Sequence, residues 1–190
     1  MTTLAPTLTT RYLPRISSWV RDLILILAGS LLIAAFAQIR IPLPFTPVPI
    51  TGQTFAVLLV GAALGSTRGI LATLLYLCEG VLGLPFFAGG AGGLHVLLGP
   101  TAGYLMGFIA ASYFIGLLAE KGLERSIKTS ILPFLVGTAV IYIFGVTWLT
   151  ILMGSFGKAV AAGFLPFLIG DAIKLIAAAL ALPAAWKLVK

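Results

Sequence analysis

Asp171 and Lys174 stand three positions apart inside a stretch that is otherwise apolar from Ala159 to Trp186. A charge at the centre of a membrane helix costs roughly 2.5 to 3.5 kcal/mol, so two of them need a partner, a wet cavity or a ligand. At this spacing both side chains share one helix face and can neutralise each other. They can also hold a ligand between them, the carboxylate accepting from N–H groups and the ammonium donating to a carbonyl or carboxylate.

Other residues offer supporting chemistry. Thr51-Gly52-Gln53-Thr54 follows a proline-rich segment and opens an apolar helix. Thr51 serves either as a helix cap or as a pocket residue, and Gln53 either lines the pocket or bonds across helices. The cluster around Gly89 and Gly90 lets backbone amides approach a ligand, without the spacing or the Lys-Ser/Thr ending of a phosphate loop. Phe45, Phe86, Phe87, Tyr104, Tyr142 and Trp148 are candidate pocket walls. Glu79 either snorkels outward or pairs with Arg40, and His95 is expected to be a hydrogen-bonding loop residue. With one histidine, one cysteine and no Ser-His-Asp or HExxH set, the chain is read as non-enzymatic, metal-free and without a disulfide. Cys78 is expected to be buried.

The elements that must position these residues follow from composition. At 60% hydrophobic and 9% charged residues the chain is that of an integral membrane protein, read as a single domain over residues 1–190 with a cytoplasmic segment at 1–20. Six spans are expected, at Leu23 to Ile39, Thr51 to Gly65, Gly69 to Leu84, Thr101 to Ala119, Ile131 to about Ile151, and Phe164 to Trp186. The second and third are short, joined by a tight turn at Ser66-Thr67-Arg68. Arg11, Arg15, Arg21, Arg68, Lys121, Arg125, Lys128, Lys187 and Lys190 all fall on one side of this arrangement, against Arg40 and Lys158 on the other, which makes both termini cytoplasmic. A proline-rich loop at Ile41 to Pro49, the glycine-rich loop and a loop at Gly154 to Gly163 then face outward. Asp171 is expected about 10 Å below the outer start of the sixth helix. On the first span Ser30 and Ala34, with Ala37 beyond, form a small-residue stripe suited to packing within the chain or to docking another membrane protein. The net charge of +7 is scattered, with no basic run of the kind that binds nucleic acid.

Five ordered motifs carry a family resemblance. Gln38-Ile39-Arg40-Ile41-Pro42-Leu43-Pro44, Pro47 to Thr54, Gly83 to Gly90, Leu98 to Tyr104 and Gly170-Asp171-Ala172-Ile173-Lys174 resemble the BioY family, biotin-binding S components of energy-coupling factor (ECF) transporters. The resemblance runs from about Leu27 to Leu182. It implies a prokaryotic cell-membrane protein that captures biotin from outside and works with a transmembrane scaffold subunit and two ATPase subunits. By the family pattern Asp171 and Lys174 match the polar pair at the ligand, and Gly89, Gly90 and Thr101 to Tyr104 match loops near it. Some members carry a polar side chain near the glycine-rich loop, where this chain has glycine. The ureido group, apolar ring and anionic tail of biotin suit the pair and its apolar surroundings. No cofactor is implied. A self-sufficient ion-coupled vitamin carrier, with Asp171 cycling a proton, is the alternative reading.

Overall fold

A computed structural model describes residues 3–189 as a mostly helical bundle. Lys190, one of the positive residues above, and the first two positions of the 1–20 segment lie outside the described residues. Eight helices follow in order: α1 (Leu4–Tyr12), α2 (Ser18–Ala37), α3 (Gln53–Leu64), α4 (Ser66–Val81), α5 (Ala102–Glu120), α6 (Ile127–Met153), α7 (Phe156–Gly163) and α8 (Leu168–Trp186). Four helical segments are long and apolar enough to cross a membrane: Ser18–Ala37, Ala102–Glu120, Ile127–Met153 and Phe156–Trp186, the last made of α7, a 3-10 turn and α8.

The short helix α3 is apolar around most of its circumference, the pattern of a helix surrounded by others. It buries eight residues, among them Gln53, Val57, Leu58 and Leu64, and touches α2, α4, α5, α6 and α8. The outer helices turn Leu23, Ile24, Leu27 and Leu31 of α2, and Ile169, Ile173 and Ile176 of α8, away from the protein. Such faces suit a hydrocarbon surround.

Several expectations are corrected. The break between the second and third spans is the single residue Gly65, whose φ of 87° demands glycine, and Ser66-Thr67-Arg68 already belongs to α4. Glu120 at the end of α5 caps that helix by accepting from both the amide and the hydroxyl of Ser66, each at 2.7 Å. Cys78 is exposed on α4 instead of buried. Glu79 does not pair with Arg40; it accepts from the Ser30 hydroxyl of α2. Ser30, Ala34 and Ala37 are buried within the chain, with 0%, 5% and 0% exposure, so this stripe leaves too little accessible surface to form a docking face. The first span begins at Ser18, five residues before the expected start, because the Ser17 hydroxyl accepts from the Val20 amide and caps it. Ahead of it α1 packs Leu4 into the core, a nine-residue helix too short and too polar to register as an apolar run. The expected loop at Gly154 to Gly163 is largely α7, capped by Ser155 accepting from the Lys158 amide.

Two irregular segments close one end of the bundle. The proline-rich stretch is a hairpin in which Arg40 pairs with Thr51 and Ile41 with Ile50. Its turn is fastened by the Thr46 hydroxyl, which donates to the Ala162 carbonyl of α7 at 2.6 Å. The glycine-rich stretch folds back through a Phe87 to Ala91 bridge and places Phe87 edge-on against Tyr76, with ring centroids 5.7 Å apart.

Candidate functional site

Asp171 lies in the first turn of α8, where a carboxylate is favoured by the helix dipole. The helix starts at Leu168 because Pro166 lies in a preceding 3-10 turn, so Asp171 is three residues from the start of α8, nearer the helix end than expected. Lys174 follows one turn later, and its ammonium donates to Asp171 Oδ1 at 2.9 Å. The pair is not isolated. Lys174 also donates to the Thr54 hydroxyl of α3 at 2.9 Å, Thr54 in turn lies 3.4 Å from Asp171 Oδ1, and the Tyr142 hydroxyl of α6 donates to Asp171 Oδ2. Three helices therefore converge on two charges whose side chains are only 13% and 18% exposed.

These groups floor an inner chamber of about 50 Å³, roofed by Val48 and Pro49 and also reached by Thr51, Gln53, Thr101 and Tyr104. An outer chamber of about 370 Å³ adjoins it, sharing Pro49, Gln53, Thr101 and Leu105. Gly89, Gly90, Phe87, His95 and Arg40 line the outer chamber. The ligand-site residues predicted from sequence, Asp171, Lys174, Gln53, Thr51, Gly89, Gly90, Thr101 and Tyr104, thus line these two adjoining chambers, whereas Ser30 and Ala34 lie elsewhere. Of the proposed aromatic walls, Phe87, Tyr104 and Tyr142 line it, and Phe45 is exposed at 68%. Trp148 acts from behind, its indole donating to the Gly99 carbonyl at 2.8 Å.

Individual roles differ from those read from sequence. Gln53 does both things expected of it: it reaches the cleft, and its amide donates to the Tyr76 hydroxyl on α4. The Tyr104 hydroxyl donates to the Gly163 carbonyl at 2.6 Å, pinning α7 to α5 beneath the cleft. The amides of Gly89 and Gly90 donate to the carbonyls of Ala37 and Phe87, so neither is offered to a ligand. Thr54 and Tyr142 were the missed polar partners of the pair. Thr54 follows Gln53 directly in the quoted motif, but nothing in the sequence links α3 or α6 to Asp171.

Comparison with known proteins gives a consistent result. The family model described as "BioY family" matches residues 5–190. The chain is 45% identical over 140 residues to the biotin transporter BioY of Thermotoga maritima, covering 74% of this chain and 82% of the relative. It is 38% identical over 169 residues to the biotin transporter BioY of Rhizobium etli, covering 84% and 90%. Its fold matches a crystal structure of the S-component for biotin from an ECF-type ABC transporter with a TM-score of 0.81 at 26% identity, covering 90% of this chain and 95% of that one.

Proposed function

The chain belongs to the BioY family, and from that premise we propose that it is a biotin-capture component of an ECF-type transporter, with the two-chamber cleft as its ligand site. The observation that carries this reading is the Asp171 and Lys174 pair held by Thr54 and Tyr142 at the floor of a cleft that is otherwise mainly apolar. A ureido group presents two N–H donors and one carbonyl acceptor side by side. Asp171 suits the donors and Lys174 the acceptor, and Val48, Leu105 and Phe108 suit an apolar ring. Each charge-assisted bond contributes about 1.5 to 3 kcal/mol, so binding alone, without catalysis, accounts for the site.

We read the chain as one domain of six membrane-crossing segments, α3 and α4 being the two short ones, in the cell membrane of a prokaryote with both ends cytoplasmic. The positive residues support this, as does the Arg11 guanidinium, which donates to the Val189 carbonyl and so brings the two chain ends to the same end of the bundle. The cleft then opens outward. A transmembrane scaffold subunit and two ATPase subunits supply the energy in this reading. In the ion-coupled alternative Asp171 must release its partners in each cycle, whereas here its two oxygens are engaged by Lys174 and Tyr142.

The test is binding of radiolabelled biotin to the full chain in nanodiscs, with other vitamins as competitors, followed by uptake in proteoliposomes. Submicromolar binding selective for biotin, with no gradient-driven flux by this chain alone, is expected. Absence of binding overturns the ligand; pH-gradient-driven uptake without partner proteins favours the carrier.

A further inference from the structure

Away from the cleft, a recess of about 450 Å³ is lined by Thr10 and Arg11 of α1, Arg21 and Asp22 of α2, and Arg68 of α4. Its charges do not balance. Arg68 is engaged with Asp22, through Nε at 2.7 Å and Nη2 at 3.2 Å, and Asp22 is the one carboxylate among the described residues of the lining. Arg11 donates to the Val189 carbonyl and Arg21 to the Thr10 hydroxyl, both neutral acceptors. Among the described residues neither of these two arginines forms an ion pair. Arg21 also lies in the first turn of α2, which carries no acidic residue and where the helix dipole favours negative charge. Two guanidiniums placed by neutral acceptors beside the positive end of a helix have an anion as their complement.

A second hollow shares Asp22 and Arg68 with the first. It is a groove of about 430 Å³ between α2 and α4, and its other walls include Trp19, Leu23, Ile26 and Leu71. Trp19 is 71% exposed, and Leu23 and Leu71 are 44% exposed, so the groove opens on the outside of the bundle. An exposed tryptophan beside such apolar residues suits the boundary between head groups and hydrocarbon. A basic recess and an apolar groove that meet at one ion pair match a molecule with an anionic group at one end and a hydrocarbon chain at the other. A free phosphate makes no use of the groove, and a lipid without net charge makes little use of the arginines.

We infer that this corner of the protein binds an anionic phospholipid, with the phosphate against Arg11 and Arg21 and one acyl chain in the groove between α2 and α4. Basic pockets between membrane helices are suited to the head groups of acidic lipids. In the topology proposed above the lipid comes from the cytoplasmic leaflet. The lipid braces α1 against the bundle at the place where Arg21 reaches Thr10 and Arg11 reaches the chain end at Val189.

The test is equilibrium binding of fluorescent phosphatidylglycerol and phosphatidylcholine to the full chain in detergent, at low and high salt, with inorganic phosphate as a competitor. At about a factor of five for each of two arginines, wild type should prefer phosphatidylglycerol about thirtyfold at low salt, and less at high salt. The double variant Arg11→Gln/Arg21→Gln should keep a preference of no more than about threefold. Lys121→Gln/Lys128→Gln removes two positive charges outside the recess and should keep the wild-type preference. Melting without lipid checks that each variant is folded; should the arginine double variant fail to fold, Arg11→Gln alone must lower the preference. A wild-type ratio near one, a ratio unchanged in the folded arginine variant, or an equal loss in the lysine variant overturns the inference. Displacement of the lipid by inorganic phosphate as effectively as by unlabelled phosphatidylglycerol overturns it in favour of a free-phosphate site. None of these results bears on biotin capture, because no residue of the recess or the groove lines the cleft.

Discussion

Replacing Asp171 with asparagine separates two roles that the pair can have, mutual neutralisation and ligand recognition. The substitution keeps the shape of the side chain and removes its charge. Lys174 then loses its ionic partner at 2.9 Å and retains only the Thr54 hydroxyl, also at 2.9 Å, inside a cleft where its side chain is 18% exposed. The asparagine amide presents one neutral acceptor oxygen where the carboxylate had two charged ones, so the Tyr142 hydroxyl and the ligand donors compete for it. Loss of one charge-assisted bond to the ligand, at about 1.5 to 3 kcal/mol, corresponds to biotin binding weaker by about tenfold to about a hundredfold. Isothermal titration or radioligand binding on the nanodisc-embedded protein measures this, and a thermal melt without ligand measures the cost to the fold. Adding Lys174→Met to Asp171→Asn removes the stranded ammonium and should recover melting temperature without recovering affinity. Biotin affinity within about twofold of wild type in a folded Asp171→Asn protein refutes the reasoning, because the carboxylate would then serve only as a counterion to Lys174.

Further substitutions probe the supports. Thr54→Val preserves volume and removes the bridging hydroxyl; at about 1 kcal/mol for one hydrogen bond, biotin affinity should fall about fivefold in the same titration. Tyr104→Phe frees the Gly163 carbonyl and should lower the melting temperature, with stability reduced by about 1 kcal/mol, while affinity falls far less than in Asp171→Asn. Glu124, between α5 and α6, is fully buried with Arg125 Nε 3.7 Å from its Oε1, and burial raises its proton affinity above the ordinary carboxyl value of 4.5, opposed in part by its own backbone amide and by Arg125 and Trp186. The folded protein therefore holds this proton more firmly than the unfolded chain, and the associated stability is full below pH 4.5 and lost as pH rises through the folded value. Glu124→Gln should accordingly melt higher than wild type at neutral pH, with the difference shrinking as the pH falls toward 4.5 in a melting series.

Much of this site is legible in sequence because charges in an apolar run have few explanations. Asp171 and Lys174 announce themselves by cost, and the proline and glycine clusters by their incompatibility with helix. The long spans α2, α5 and α6 follow from uninterrupted apolar runs. What escaped reading depends on contacts between distant segments. Thr54 and Tyr142 are ordinary residues on ordinary helices until three helices meet at Asp171. The stripe at Ser30 and Ala34 has the composition of either an inner or an outer face, and burial within the chain decides between them. Helix α7 was hidden because it has only eight residues and two of them, Gly157 and Gly163, are poor helix formers. Arg40 was considered as a partner for Glu79, and its actual neighbour, the Gly89 turn, lies about fifty residues further along the chain.

The hydrogen bond from Thr46 to Ala162 bears on time as well as on shape. The inner chamber of about 50 Å³ is smaller than the roughly 300 Å³ of a small-molecule pocket, so a bicyclic head group there requires lining residues to give way, and Val48 and Pro49 stand on the hairpin held by this bond. Movement of the hairpin loads the Thr46 hydrogen bond that fastens its turn to α7. The same tether must yield again before an occupant departs, so it slows escape as well as entry.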